Sequence, residues 1–201
     1  MNEIEIRRPQ IDEVEELNQF FRIMVEDTFA KEGISDLLDD QESEIESKRQ
    51  YLKADLDSKG KSRHFFIASD QRLNKIIGTI EYGPASELID ICTDGTLKDL
   101  YEVGTVFVHP DYQRRGIGTL LFNVMFLTFV NRGVKEFCLD SGYPGAQKIW
   151  KKKFGEPDYV LTDYWGKGYD HMIWRRRTKD MPIDTRISVM LSVMPKEESC
   201  T

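Results

Sequence analysis

The sequence predicts a mixed α/β (α+β) fold: one central sheet of about seven strands flanked by helices. Two observations predict it. Apolar periodicity switches along the chain in the order β-α-α-β-β-β-α-β-α-β-β. Turn-bounded strand pairs near 64–82 and 159–176 read as antiparallel hairpins, and they flank a central strand–helix–strand unit. That arrangement makes a mixed sheet, not a doubly wound parallel one.

The elements follow in order. Residues 3–8, EIEIRR, alternate like a short strand before Pro9. Ile11, Val14, Leu17, Phe20, Phe21, Met24 and Val25 then recur at helical spacing, with Asp12 and Glu13 in the first turn and Gly33 as the stop. A charged amphipathic helix is expected from about Ser35 to Asp57, marked by Leu37, Leu38, Ile45, Tyr51 and Leu52, and SKGKSR is a loop. His64–Ser69 and Lys75–Tyr82 are the first hairpin. Residues 83–100 form a long connection without clear periodicity, and connections of that length are often functional or locally folded. Tyr101–Val108 is a strand, Gly116 to Asn131 a helix closed by Gly133, and Lys135–Asp140 a strand. SGYPG is a loop, and 146–154 a short basic helix. Tyr159–Trp165 and Tyr169–Arg176 close the sheet as a hairpin around GKG. ISVMLSVM at 187–194 is a last strand or short helix, and its apolar character suggests a partner surface such as a homodimer contact. The chain reads as one domain at 1–178 with a partly frayed extension at 179–201.

Composition excludes several classes. No apolar run approaches the ~20 residues of a membrane span. The start, MNEIEIRRPQ, lacks the basic-then-apolar order of a secretion signal, so the default location is cytoplasmic. Cys92, Cys138 and Cys200, like His64, His109 and His171, are scattered without ligand spacing, so no metal site is expected. A net charge of −7 disfavours nucleic acid and suits a cationic partner or simple solubility.

The most informative stretch is TVFVHPDYQRRGIGTLL at 105–121. A β-branched run stops at His109-Pro110, and a long apolar helix begins directly after Gly-Ile-Gly. A helix N-terminus leaves amides unpaired and carries partial positive charge. Gly116 and Gly118 remove the Cβ atoms that would hold an anion away, and Arg114 and Arg115 add charge at the rim. These are the requirements of a pyrophosphate cradle. The nicotinamide fingerprint lacks its third glycine here, and the triphosphate loop motif is absent.

QRRGIG, a Q/R-x-x-G-x-G/A pattern between VHPDY and TLL, resembles the acetyl-CoA loop of the GNAT N-acetyltransferases. The element order over 3–177 is similar to that fold, and AQKIWKKKFG at 146–155 echoes the family's next signature. The resemblance implies the GNAT fold, with splayed fourth and fifth strands and pantetheine in the gap between them. It implies that Val106, Phe107 and Val108 pair with the cofactor arm through their backbone. It implies that the Gln113, Arg114, Arg115, Gly116, Ile117, Gly118 and Thr119 loop holds the pyrophosphate, and that Trp150 packs beside the arm. The side chains of Val106 and Val108 are at the same time core residues of a buried strand. Lys148, Lys151, Lys152 and Lys153 either approach the 3′-phosphate or form a solvated face.

The implied reaction is acetyl transfer from acetyl-CoA to an amine. An ammonium cannot attack a thioester, so a base must first take its proton. Glu102 is the leading candidate. It lies eleven residues before Gln113, an offset matching the glutamate of histone-acetylating relatives, and strand alternation places it with Val106 and Val108. Glu81 is the alternative base. The family's usual proton-donating tyrosine is replaced by Trp150, so Tyr143 becomes the candidate acid, with Tyr159 and Tyr164 behind it. Met24, Phe29, Trp165 and Tyr169 would wall the acceptor site. Glu26, Asp27, Asp39, Asp40, Glu42 and Glu44 nearby suit a cationic amine: a polyamine, an aminoglycoside-like compound or a peptide N-terminus. A non-catalytic acetyl-CoA sensor is the alternative function.

Overall fold

In the computed structural model, which describes residues 4–182, the chain runs through β1 (Ile4–Arg7), α1 (Val14–Glu32), α2 (Leu38–Ser58), β2 (His64–Asp70), β3 (Lys75–Pro84), α3 (Glu87–Cys92), β4 (Tyr101–Val108), α4 (Ile117–Asn131), β5 (Glu136–Ser141), α5 (Pro144–Phe154), β6 (Tyr159–Leu161) and β7 (His171–Arg177). The strands form one seven-stranded sheet in the order β1-β2-β3-β4-β5-β7-β6. β4 and β5 are parallel, while β1–β2, β2–β3, β3–β4, β5–β7 and β6–β7 are antiparallel. The expected mixed sheet is thus the observed one. The 187–194 segment lies outside the described residues. Among the described residues no helix is long and apolar enough to cross a membrane.

Two helical layers cover the sheet. α4 buries nine of its fifteen residues, and with Trp150 and Phe154 of α5 it packs on Tyr82, Val103, Phe137 and Trp174. On the opposite face α1 and α2 bury Leu17, Phe20, Phe21, Met24 and Leu52 against Phe65 and Ile67 of β2. α3 shares that second face, where Ile89 and Leu97 close over Cys138 and Ile173.

Local differences from the sequence reading have physical causes. Ile11 is exposed, because residues 11–13 form a 3₁₀ turn and the α-helix starts at Val14. Within the aperiodic 83–100 connection, Ser86 caps α3 by accepting from the Ile89 amide. α5 begins two residues early because Pro144 occupies its first turn, where a missing N–H costs nothing. β6 stops at Leu161, short of Trp165. There Asp163, itself at positive φ, accepts from the Gly168 amide and folds the chain into a turn.

The aromatic centre of the α4 layer generates a stability prediction. Phe129 is fully buried and touches Tyr82 and Phe137 with ring centroids 4.8 and 5.5 Å away. Phe129→Ala is expected to lower unfolding free energy by about 3–5 kcal/mol in urea titrations. Val130→Ala, one residue on and 58% exposed, should stay within about 0.5 kcal/mol of the parent.

Candidate functional site

The site is built where β4 and β5 part. They pair only at Tyr101–Phe137 and Glu102–Cys138, and beyond that point the strands separate. The expected splay is therefore present. β4 also carries an extra residue. Glu81 pairs with Gly104 and Thr79 with Phe107, so Ile80 alone faces both Thr105 and Val106. Thr105 takes up the surplus in a left-handed conformation at φ +48°.

This bulge corrects one sequence expectation. Strict alternation placed Glu102 with Val106 and Val108, but an extra residue reverses the parity of everything after it. Glu102 instead shares a face with Gly104 and Phe107, next to Glu81 of β3. Val106 and Val108 turn to the α4 layer, and Phe107 packs against the α1 and α2 side. Both candidate bases therefore lie on the face covered by α1, α2 and α3.

Their surroundings differ. Glu81 is almost fully buried, and its Oε2 accepts from Arg63 Nη1 at 2.6 Å, while Oε1 accepts from Thr105 Oγ1 at 3.3 Å. Glu102 is also buried, with Oε2 accepting from the Ser86 amide at 2.6 Å, and no described cation pairs with it. Burial first, then Asp140 and Glu81, push the Glu102 carboxyl from the ordinary 4.5 up to about 8. Burial raises Glu81 as well, against the pull of Arg63. Lys48 of α2 faces the same cluster. Burial works against its ammonium, but Glu44, Glu81 and Glu102 outweigh that and hold its pKa above the ordinary value.

Further along the gap, Trp165 Nε1 donates to His171 Nδ1 at 3.2 Å. Nε2 of the same ring lies 3.1 Å from Asp140 Oδ2. Tyr143 lies tilted against Phe29 with ring centroids 5.9 Å apart, and its hydroxyl donates to Glu44. Burial first, then Glu44, hold the phenol proton well above its ordinary value. Tyr143 is thus engaged by a carboxylate instead of open to the gap.

The cradle stands at the other end of β4. Gln113 Nε2 donates back to the Val108 carbonyl at 3.0 Å and turns the chain. Arg114 and Gly116 both take left-handed backbone, at φ +59° and +87°. Alternating such conformations lets successive amides converge on an anion. Gly116 is the N-cap of α4 and offers no side chain, and the amides of Ile117, Gly118 and Thr119 have no acceptor among the described residues. A Cβ on Gly116 would meet nothing within 4 Å, so the space before the helix is open. Arg115 lies over the Tyr112 ring at 5.4 Å, at the rim. Open space, orphan amides and two guanidinium groups fit a pyrophosphate.

The other expected residues divide. Trp150 packs on Phe122 and Phe154 at 5.7 and 6.0 Å, where α4 meets α5. Lys153 lies over the Phe122 ring, and Lys151 pairs with Glu156. Trp165 and Tyr169 are exposed near the gap, but Met24 is a core residue and walls nothing. Glu26 and Glu42 pair with Arg22, and Asp27 with Lys31, as solvated helix charges. Of the nearby acids, Glu44 reaches the site. Arg63, Lys48, Ser86, Asp140 and His171 carried no spacing signal, because each comes from a different element.

The comparisons agree with this geometry. A family model described as the acetyltransferase (GNAT) family matches residues 24–155. A search of curated proteins gives no match. Among solved structures, an acetyltransferase of the GNAT family from Desulfovibrio desulfuricans superposes with a TM-score of 0.65 at 15% identity, covering 88% of this chain and 99% of that one. PaiA N-acetyltransferase from Thermoplasma acidophilum, in complex with coenzyme A, gives 0.61 at 19% identity over 87% and 99%. A ribosomal-protein-alanine N-acetyltransferase from Brucella melitensis gives 0.60 at 18% identity over 86% and 99%. At these identities the likeness is one of fold.

The buried Glu102 makes stability fall with pH. Between the ordinary 4.5 and about 8 the unfolded chain has released this proton while the folded chain retains it. The unfolded state then binds fewer protons, so unfolding free energy drops by up to about 1.4 kcal/mol per pH unit. Glu102→Gln is expected to remove that slope. Urea titrations at pH 5, 6, 7 and 8 should show the variant gaining on the parent at each step. Parallel curves would contradict the assignment.

Proposed function

Since the chain belongs to the GNAT acetyltransferase family, we propose that it moves an acetyl group to a primary amine on a cationic small molecule or peptide, with Glu102 as general base. The family uses acetyl-CoA, and the chain is an acyltransferase. When bound, acetyl-CoA supplies the acetyl group as a thioester. In this reading the amides of 114–119 hold the pyrophosphate, with Arg114 and Arg115 at its rim. The backbone of Val106, Phe107 and Val108, left unpaired on the β5 side by the splay, lines the cofactor arm. Trp150 packs beside it.

The observation that carries the acceptor assignment is the charge of the gap. Glu44, Glu81, Glu102 and Asp140 gather there against Arg63 and Lys48. A protonated amine supplies the missing positive charge. Glu102 then takes its proton, directly or through water, and a base with pKa near the working pH is suited to that. Tyr143 holds its proton more tightly than an ordinary thiol, whose pKa is about 8.5, so returning it to the leaving sulfur is uphill. We assign Tyr143 to the acceptor wall; the sulfur leaves as a thiolate and regains a proton in bulk solvent after release.

A thiol-release assay over a panel of amines tests this. Polyamine, aminoglycoside or peptide acceptors should exceed neutral amines by at least about tenfold in kcat/KM, and added salt should erode the advantage. For the parent, kcat/KM should climb as pH passes about 8. Glu102→Gln should lower kcat by about 10²–10⁴ while calorimetric affinity for coenzyme A holds. Coenzyme A binding without thiol release for any acceptor would overturn the reading.

The cradle has its own test. Gly116→Val must hold a β-branched side chain at φ +87° and fill the open space before α4. Coenzyme A affinity should fall at least about tenfold by calorimetry. An unchanged affinity would move the pyrophosphate elsewhere.

A further inference from the structure

The guanidinium of Arg63 is held on three sides. Its Cζ lies 3.7 Å above the centre of the Tyr51 ring. Its other flat face rests on bare backbone at Gly83, where an added Cβ would come within 2.6 Å of Cζ. Nη1 meets Glu81 Oε2 at 2.6 Å, and Nη2 donates to the Pro84 carbonyl at 3.4 Å. Glu81 in turn lies on the bare backbone of Gly104, where an added Cβ would sit 2.6 Å from its Oε1 and 3.9 Å from Oε1 of Glu102. Two carboxylates thus crowd one glycine at the bulge, and one of them is clamped to a stacked, buried cation.

We propose that Arg63 is a positioning residue for acetyl transfer: it fixes Glu81 in an ion pair beside Glu102, leaving Glu102 as the carboxylate that takes the acceptor's proton. This rests on the reading of Glu102 as the base. Without the guanidinium, two buried carboxylates at the same glycine would compete for one proton, and neither would be a defined acceptor. A guanidinium suits the task because it stays charged when buried and its planar face stacks.

The groups facing Glu102 come from several elements. Glu81 stands on β3, Lys48 and Tyr51 on α2, Asp140 and Cys138 on β5, and Arg63 just before β2. At the four corners of the cycle below, only the Arg63–Glu81 pair changes.

The test is a four-cornered cycle read as the pH profile of kcat/KM, using the amine acceptor that releases most thiol. Arg63→Gln frees the negative charge of Glu81 and should move the acid limb up by about one pH unit, cutting the rate at pH 7 roughly tenfold. Glu81→Gln leaves Arg63 unpaired near Glu102 and should move the limb down. The double variant removes both charges and should return the limb close to the parent position. A merely structural arginine predicts the reverse ordering: the double variant as impaired as Arg63→Gln, with the limb unmoved in both. If Arg63→Gln does not fold, the neutral double variant and Arg63→Lys replace it. The lysine keeps the charge without the planar stack, so it should keep the parent limb; a limb displaced as far as one unit in Arg63→Lys would overturn the proposal. Glu102→Gln separates the two readings. Activity and acid limb surviving in that variant sink the assignment of the base itself. Their loss, combined with an unmoved limb in Arg63→Gln, sinks the role of Arg63 alone.

Discussion

Between Gly104 and Phe107, β4 holds one residue more than β3 can match, and the chain absorbs it at Thr105 in left-handed backbone. A bulge costs pairing and some strain, yet it reverses which face each later side chain meets. Without it Glu102 would share a face with the valines that pack under α4. With it the carboxylates of Glu81 and Glu102 meet over Gly104, while Val106 and Val108 still serve the core. One strand then presents a buried carboxylate on one face and hydrophobic anchorage on the other.

The same strand leads into the cradle, and the two ends are mechanically joined. Val108 reaches within 3.8 Å of where a Gly118 Cβ would be, so the first turn of α4 sits directly on the strand end. Gln113 ties the loop back to the Val108 carbonyl. α4 is anchored by its deep burial, so its uncapped amides stay fixed in direction without a ligand. Orphan amides at a helix start are costly unless something satisfies them, and a pyrophosphate does so with charge of the right sign.

How much was legible follows from this geometry. The QRRGIG turn was readable because its chemistry is local: glycines, arginines and a helix start within a few residues. The order of elements along the chain and the hairpins were readable from periodicity and turns. The facing of Glu102 was not, since Thr105 bears no mark of a left-handed residue and alternation alone cannot count a bulge. Arg63 sat in a stretch that reads as a loop, SKGKSR, and only tertiary packing shows it stacked on Tyr51. α3 was hidden because six helical residues give too few turns for a period, although Ser86 before Glu87 is a capping signal. Trp150 sits at the α4–α5 junction against Phe122 and Phe154, where an indole among phenyl rings is held by area and not by a proton.

The sheet also separates charge in a way that the net −7 conceals. Arg114 and Arg115 stand at the cradle, where an anion fits. The gap on the other side of β4 collects Glu44, Glu81, Glu102 and Asp140, answered by Arg63 and Lys48. That excess of negative charge acts twice on the same event. In the proposed reaction it draws a protonated amine into the gap, while burial first and then its acidic neighbours raise the proton affinity of Glu102. On that proposal, an acceptor that brings positive charge relieves the repulsion felt by ionised Glu102, so its arrival favours the form of Glu102 that can take a proton. Attraction and deprotonation, in the proposed reaction, are then consequences of one electrostatic imbalance beside the buried Arg63–Glu81 pair.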